Sequence, residues 1–498
     1  MEIKSLAFML FCFVVAVAYF ALQRTDKQKY VLLAADFYFV LRYSGLKAVI
    51  ALFLICVAVF WTARQMEKAE KKKGWLWLGL VFTIGVLLFF KFFTGMAETL
   101  LSMASGRPVD MIKIIVPAGI SYYTLAMCAY LVDIYHKKYK AETDLIAFLV
   151  YVTYFPAIVE GPINMYRKLM PQIKEKHTFD WDRMIRGLMR TLWGYLKKVV
   201  IADRIGILVM GILQTEDAHG IVILYALVIY SFQIYTDFSG GIDVIMGISQ
   251  VLGIELAENF KSPLISKNVT EYWQRWHKSL GEFMEKYIYY PIVLNRKLMK
   301  FSKKIKNKYQ SRAFSAFVAS LIVFVIVGIW HGTGWNYVVY GMSQAFFVST
   351  AVILKPTYTA VKKKLHVNEK CLSWEIFCIL RTFVILVFGR LIIKASNLHQ
   401  AGELLKKIVH MDNIYSLFNG DLLNYGLDYK NMIVMYIGIL IVLLVDILHE
   451  QKVEFRELIL KQDIVFRYAV YFTALAVLII FGVYGGEFSA ASFIYQGY

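Results

Sequence analysis

An all-helical protein that crosses a membrane many times is the fold class this sequence predicts, and three observations carry it. Of 498 residues, 59% are hydrophobic and only 18% charged, against roughly 25% charged in soluble globular proteins. Such a chain cannot cover a water-facing surface, whereas lipid covers an apolar one. The apolar residues are gathered into stretches near the length at which a helix spans about 30 Å of hydrocarbon. The basic residues, 55 Lys and Arg against 36 Asp and Glu for a net charge of +19, cluster in the loops between those stretches. That is the positive-inside pattern that orients membrane proteins, and it argues against nucleic acid as the reason for the charge. Eight prolines and 31 glycines are too few for a linker-rich or disordered chain.

Taken in order, residues 5–22 are apolar behind Lys4 and read as a first transmembrane helix. Ala16-Val17-Ala18 offers the alternative of a signal-peptidase site. Further apolar stretches follow at 30–41, 46–61, 75–93, 113–133, 145–159, 198–214, 220–236, 313–330, 333–354, 376–395, 431–449 and 464–483. Those at 30–41 and 145–159 are short, so each is expected to be tilted, re-entrant or interfacial. The expectation is about 11 to 13 spans in a single integral-membrane domain over residues 1–498, without an internal repeat. Three basic segments, 63–73, 162–198 and 295–312, are expected to face the cytoplasm. The last of these has eight basic residues and no acid, and could also attract anionic lipid or a polyanionic substrate. The final span then places residues 484–498 outside. Cys12, Cys56, Cys128, Cys371 and Cys378 are odd in number and contain no CxxC, so neither a disulfide framework nor a zinc site is indicated.

The most informative stretch is Gly328-Ile329-Trp330-His331-Gly332-Thr333-Gly334-Trp335-Asn336, set inside about forty apolar residues. Its glycines permit a helix break or a close helix approach. His331 then lies at membrane depth between Trp330 and Trp335, where an ionisable side chain is costly and usually functional. The bland alternative is a histidine bonded to a neighbouring helix. A second block runs from Asn268 to Leu280. Asn268 and Glu271 have capping-box spacing, so a helix is expected to start here. On one continuous helix Trp273, His277 and Leu280 would share a face. That segment reads equally well as an amphipathic interfacial helix with Trp273 and Trp276 at the headgroups or as a polar funnel holding His277. Asp237 and Asp243, near the end of an apolar helix, could pair with a histidine or an arginine, and are read as structural or as supporting a site residue. Phe155-Pro156 marks a break, and the following Arg167 is a candidate contact for a substrate phosphate. The tail Phe493-Ile494-Tyr495-Gln496-Gly497-Tyr498 ends in aromatics, and a phenol there could act as a covalent nucleophile if activated. GxSxG, GxxxxGK[ST], HExxH and a strand-borne GxGxxG are all missing, which removes support for a soluble hydrolase, an ATPase or a zinc protease.

These blocks resemble the membrane-bound O-acyltransferase family, in particular its bacterial branch for cell-surface polysaccharide O-acetylation. The resemblance rests on Phe155–Arg167, Gly187–Arg204, Asp237–Phe260, Asn268–Pro291 and Gly328–Gly341, and, further along the chain, Phe388–Leu405 and the tail resemble this branch. It implies a family core at about residues 110–354, followed by C-terminal helices and tail at 376–498. It further implies a ring of tilted helices around a tunnel, in a bacterial cytoplasmic membrane. Through that tunnel an acyl thioester passes from the cytoplasm to an acceptor outside. The family's essential histidine falls on His331 and its second polar position on His277. Trp330, Trp335, Asn336, Trp273, Trp276, Asp237 and Arg167 become candidates to line the tunnel or touch substrate, with Asn336 a candidate to orient an oxyanion. Phe388-Gly389-Arg390-Leu391 departs from the more aromatic tract usual in the family.

The expected donor is acetyl-CoA or an acyl-carrier thioester, with no bound cofactor and no metal. His331 is the expected general base, a task suited to an imidazole near pKa 6.5. Tyr495, then Tyr498, is a candidate transient acyl carrier. The expected partners are a cell-surface polysaccharide, membrane lipid and a second, secreted or membrane-anchored serine-esterase-like (SGNH) transferase. O-acylation of a lipid, a teichoic acid or a small molecule is the alternative within enzymes; a transporter or a scaffold is the alternative outside them.

Overall fold

The computed structural model describes residues 1–105, 107, 116–332 and 334–484. They are helical throughout, with no strand among the described residues. The described residues fall into two compact units. One comprises Met1–Trp193 and Gly241–Ala257, the other Gly194–Gly240 and Glu258–Tyr498.

Among the described residues, seven helices are long and apolar enough to cross a membrane: Leu46–Lys68, Lys72–Phe93, Gly220–Val251, Lys308–His331, Leu372–Lys394, Tyr429–Glu450 and Ile464–Phe481. Trp335–Ile353 and Lys355–Lys364 make an eighth if the pair, bent by 60°, is one span. The remaining apolar stretches form shorter helices, such as Leu6–Ala21 with 16 residues and Ile120–Tyr135 with 16. Ile120–Tyr135 is buried along most of its length. Its apolarity therefore records burial in protein rather than contact with lipid.

In the first unit the short stretch at 145–159 becomes a nine-residue helix, Leu145–Thr153, that stops ahead of Pro156. The break is capped from another helix. Asp36, fully buried on Gln28–Ser44, accepts the Phe155 N–H at 2.7 Å and the Thr153 hydroxyl at 3.1 Å. The two hydrogen bonds it accepts at the break offset part of the cost of burying the Asp36 carboxyl group. Close helix packing here depends on glycine: a Cβ on Gly187 would lie 2.6 Å from the Gly247 carbonyl oxygen.

In the second unit, residues 295–312 do not form a simple loop. Asn295 caps the helix Arg296–Ser302 and Asn307 caps Lys308–His331, each side-chain oxygen accepting a backbone N–H at 2.9 Å. The span Lys308–His331 then turns back into Trp335–Ile353 as a tight hairpin. Gly341 sits so close to its neighbour that a Cβ would come within 2.2 Å of the Phe324 carbonyl oxygen. Gly328 reciprocates, its absent Cβ 2.5 Å from the Tyr337 carbonyl oxygen. Small residues at such crossings allow backbones to approach in the absence of a hydrophobic driving force between helices.

Candidate active site

His331 is the last residue of its helix, and the chain turns extended at Gly332. Glycines at 328 and 332 thus serve the two purposes the sequence suggested, close approach and a break. The imidazole is buried, at 6% exposed, and its ring centre lies 4.9 Å from that of Trp330 in an edge-to-face arrangement. Trp330 is also buried, and its indole lies 6.2 Å from the His277 ring. Phe238 meets His277 edge-on at 4.9 Å. One indole thus touches two imidazoles, which are within electrostatic reach of each other.

The segment carrying His277 departs from the sequence expectation. Asn268 does start a helix, its side chain accepting the Glu271 N–H at 2.9 Å. The reciprocal half of the cap is shifted by one residue, since the Glu271 carboxylate accepts the Lys267 N–H at 2.9 Å. That helix ends at Arg275 and another starts at Lys278. Between them His277 adopts φ +46°, in the left-handed region. Trp273, His277 and Leu280 therefore do not share one helical face. The chain bends sharply and turns the imidazole inward, to 2% exposed.

Asn259, fully buried, holds this elbow in three ways. Its carbonyl accepts the Lys278 N–H at 2.9 Å, and its Oδ1 accepts the Ser279 N–H at 3.0 Å. The same Oδ1 faces His277 Nδ1 at 3.2 Å. Because a backbone N–H identifies that side-chain atom as the oxygen, His277 Nδ1 must be the donor. In the neutral ring the lone pair is then on Nε2. Asn259 was not singled out from the sequence, and no local signal could have revealed a partner 18 residues away.

The other candidates divide. Trp276 is buried and stacks on Tyr272 at 5.6 Å, with Phe260 edge-on at 5.0 Å, as part of the wall behind the elbow. Trp273 is half-buried and donates its indole N–H to Gln344 at 3.3 Å. Asn336 is buried and donates to the Ala395 carbonyl at 3.0 Å, tying its helix to the end of Leu372–Lys394. Trp335 is 75% exposed. Asp237 is buried and bonded to the Lys198 ammonium, which also pairs with Asp203 at 2.8 Å. This charge set packs the π-helical turn Leu196–Ala202 against Gly220–Val251. Asp243 belongs to the first unit and pairs with Arg190 at 2.8 Å. Arg167 also belongs to the first unit, exposed at the start of Tyr166–Lys174. Tyr495 and Tyr498 lie outside the described residues.

A buried pair of imidazoles on one indole, one of them with its tautomer set, is an arrangement that can take up a proton and pass it on. Comparison with known proteins agrees with this chemistry. Residues 139–388 match the model of the MBOAT, membrane-bound O-acyltransferase, family. A probable alginate O-acetylase of Pseudomonas syringae pv. tomato is 28% identical over 71% of this chain and 65% of its own length. A peptidoglycan O-acetyltransferase of Helicobacter pylori is 28% identical over 70% of this chain and 67% of its own. A teichoic acid D-alanyltransferase of Bacillus subtilis is 28% identical over 46% of this chain and 58% of its own. The chain thus spans somewhat under two thirds of the first of these relatives.

Proposed function

Since the chain belongs to the membrane-bound O-acyltransferase family, we propose that it is a multi-pass O-acyltransferase of a bacterial cytoplasmic membrane. In this reading it moves an acetyl group from a thioester, acetyl-CoA or an acyl-carrier thioester, toward hydroxyls of a cell-surface polysaccharide. The observation that carries the reading is the buried His277–Trp330–His331 cluster. A general base must be the neutral imidazole. His331 takes the proton of the attacking hydroxyl as its oxygen forms a bond to the thioester carbonyl carbon. The C–S bond then breaks, and the proton passes from His331 to the departing thiolate. Oxygen ends as an ester and sulfur as a thiol, so nothing else is consumed. His277, its Nδ1–H on Asn259, presents Nε2 to position the acyl group or relay that proton.

The relatives named for alginate and peptidoglycan O-acetylation support a polysaccharide as the final acceptor. The acetyl group travels first to a C-terminal phenol, Tyr495 or else Tyr498, and a second SGNH-type transferase completes the transfer outside. The deciding experiment supplies radiolabelled acetyl-CoA to the purified protein in liposomes. Thioester loss is expected in the wild type and a fall of roughly 10²-fold or more in His331→Ala. Equal consumption by both proteins would remove His331 from its role. Label on the wild type and none on Tyr495→Phe, or none on Tyr498→Phe, would establish the relay, whereas wild-type label on the variant lacking both phenols would remove it.

A further inference from the structure

Leu372–Lys394 carries Arg390 four residues from its C-terminal end. An arginine near the end of a span ordinarily extends to the interface. Arg390 instead turns into the second unit and is only 3% exposed. Its Nη2 donates to the Tyr272 phenol at 3.3 Å. Its Nη1 is buried and meets no hydrogen-bond acceptor among the described residues. The groups around it are neutral: the phenols of Tyr230, Tyr272 and Tyr340 lie within its electrostatic reach. No carboxylate of the described residues pairs with it. Guanidinium does not shed its proton in proteins, and a buried charge without a counter-charge is strongly unfavourable.

We propose that Arg390 anchors a subsite for an anionic ligand group, a phosphate ester or a carboxylate, which supplies the missing counter-charge. Its planar fork suits two oxygens of one such group. A Cβ on Gly389 would lie 2.9 Å from the end of the Gln344 side chain and 3.2 Å from the Tyr340 ring, so this helix packs closely against Trp335–Ile353. The subsite also adjoins the histidine cluster, because Tyr272, which takes the Arg390 N–H, stacks on Trp276 immediately before His277. If the acyl-transfer reading holds, on which this identification of ligands rests, the anion has two sources. It is the phosphate of the donor's pantetheine arm or an acid group on the acceptor sugar.

The test measures equilibrium binding to the full-length protein in detergent, on a His331→Ala background so that nothing turns over. Phosphopantetheine is compared with pantetheine, and a glucuronate oligosaccharide with its neutral glucose counterpart. One anionic probe is expected to bind at least about tenfold more tightly than its neutral partner, as a charge-assisted hydrogen-bond pair would give. Inorganic phosphate is expected to compete. Arg390→Gln should bring the ratio near one, and Arg390→Lys should retain part of it. The pair showing the preference identifies the source. Ratios near one for both pairs in the protein with Arg390 intact overturn the proposal, as does a preference that survives Arg390→Gln. If Arg390→Gln fails to fold, the ratios and phosphate competition with Arg390 present decide alone. These ratios do not depend on donor consumption, so the subsite and the proposed reaction fail separately.

Discussion

His331 and His277 touch the same indole but are held there by opposite means. His331 closes a 24-residue helix, and its place follows from the length of that helix and the glycines of the hairpin. His277 sits in a two-residue gap between two seven-residue helices, in a left-handed backbone conformation that its own sequence does not favour. One imidazole is placed by local sequence. The other is placed by Asn259, which lies 18 residues earlier in the chain. A pair of imidazoles held this way has one rigid member and one whose position rests on a handful of hydrogen bonds.

The comparison is broken most severely on the rigid side. Gly341→Val puts a branched side chain where even a Cβ would lie 2.2 Å from a carbonyl oxygen of the facing helix. Backbone cannot yield as a side-chain tip can, so the hairpin must open. The expected loss is about 3 kcal/mol, the upper end for overpacking, read as a large fall in the thermal midpoint of the detergent-solubilised protein. Acyl transfer should fall with it, because His331 and Trp330 ride on the same helix. A variant as stable as the wild type would mean that the hairpin is looser than described.

Asn259→Ala attacks the other side. It removes the acceptor of the Ser279 N–H and of His277 Nδ1 while leaving the backbone carbonyl bond to Lys278 in place. An orphaned buried N–H costs about 1–3 kcal/mol, so the loss of stability should be smaller than for Gly341→Val. The larger change is expected in turnover, since the tautomer and direction of His277 are no longer set. Donor consumption falling in step with stability alone would deny Asn259 that positioning role.

What was legible beforehand follows the same division. The membrane class, the break at Pro156, the helix start at Asn268 and the setting of His331 beside Trp330 all arise within a few residues, whereas Trp335 is exposed. The family match over residues 139–388 agrees with the resemblance read from those blocks. The shared face of Trp273 and His277 was misplaced because periodicity assumes an unbroken helix, and the break at His277 is imposed from Asn259. Arg390 was noticed only as a departure from a pattern. Its significance lies in burial without a counter-charge, which no pattern of neighbours displays. The estimate of spans counted apolar runs, whereas stretches such as Ile120–Tyr135 owe their apolarity to protein neighbours.

The smallest expected effect gives the sharpest view of the elbow. His277→Ala and His277→Gly delete the same ring and should lose the same contacts to Phe238 and Trp330. They differ in how well they accept φ +46°. Alanine has a Cβ that crowds the following carbonyl in the left-handed region, at about 1–2 kcal/mol, whereas glycine is indifferent. Glycine returns some of this advantage through the greater freedom of its unfolded chain, about 0.4–1 kcal/mol. The glycine variant should therefore be the more stable by on the order of 1 kcal/mol, measured as paired thermal midpoints in one detergent. On the proposed role of His277 their residual donor consumption should be equal, because both have lost the ring. Equal stability would mean that the elbow relaxes once the imidazole is gone. The left-handed turn would then be a consequence of burying His277 rather than the frame that Asn259 builds to receive it.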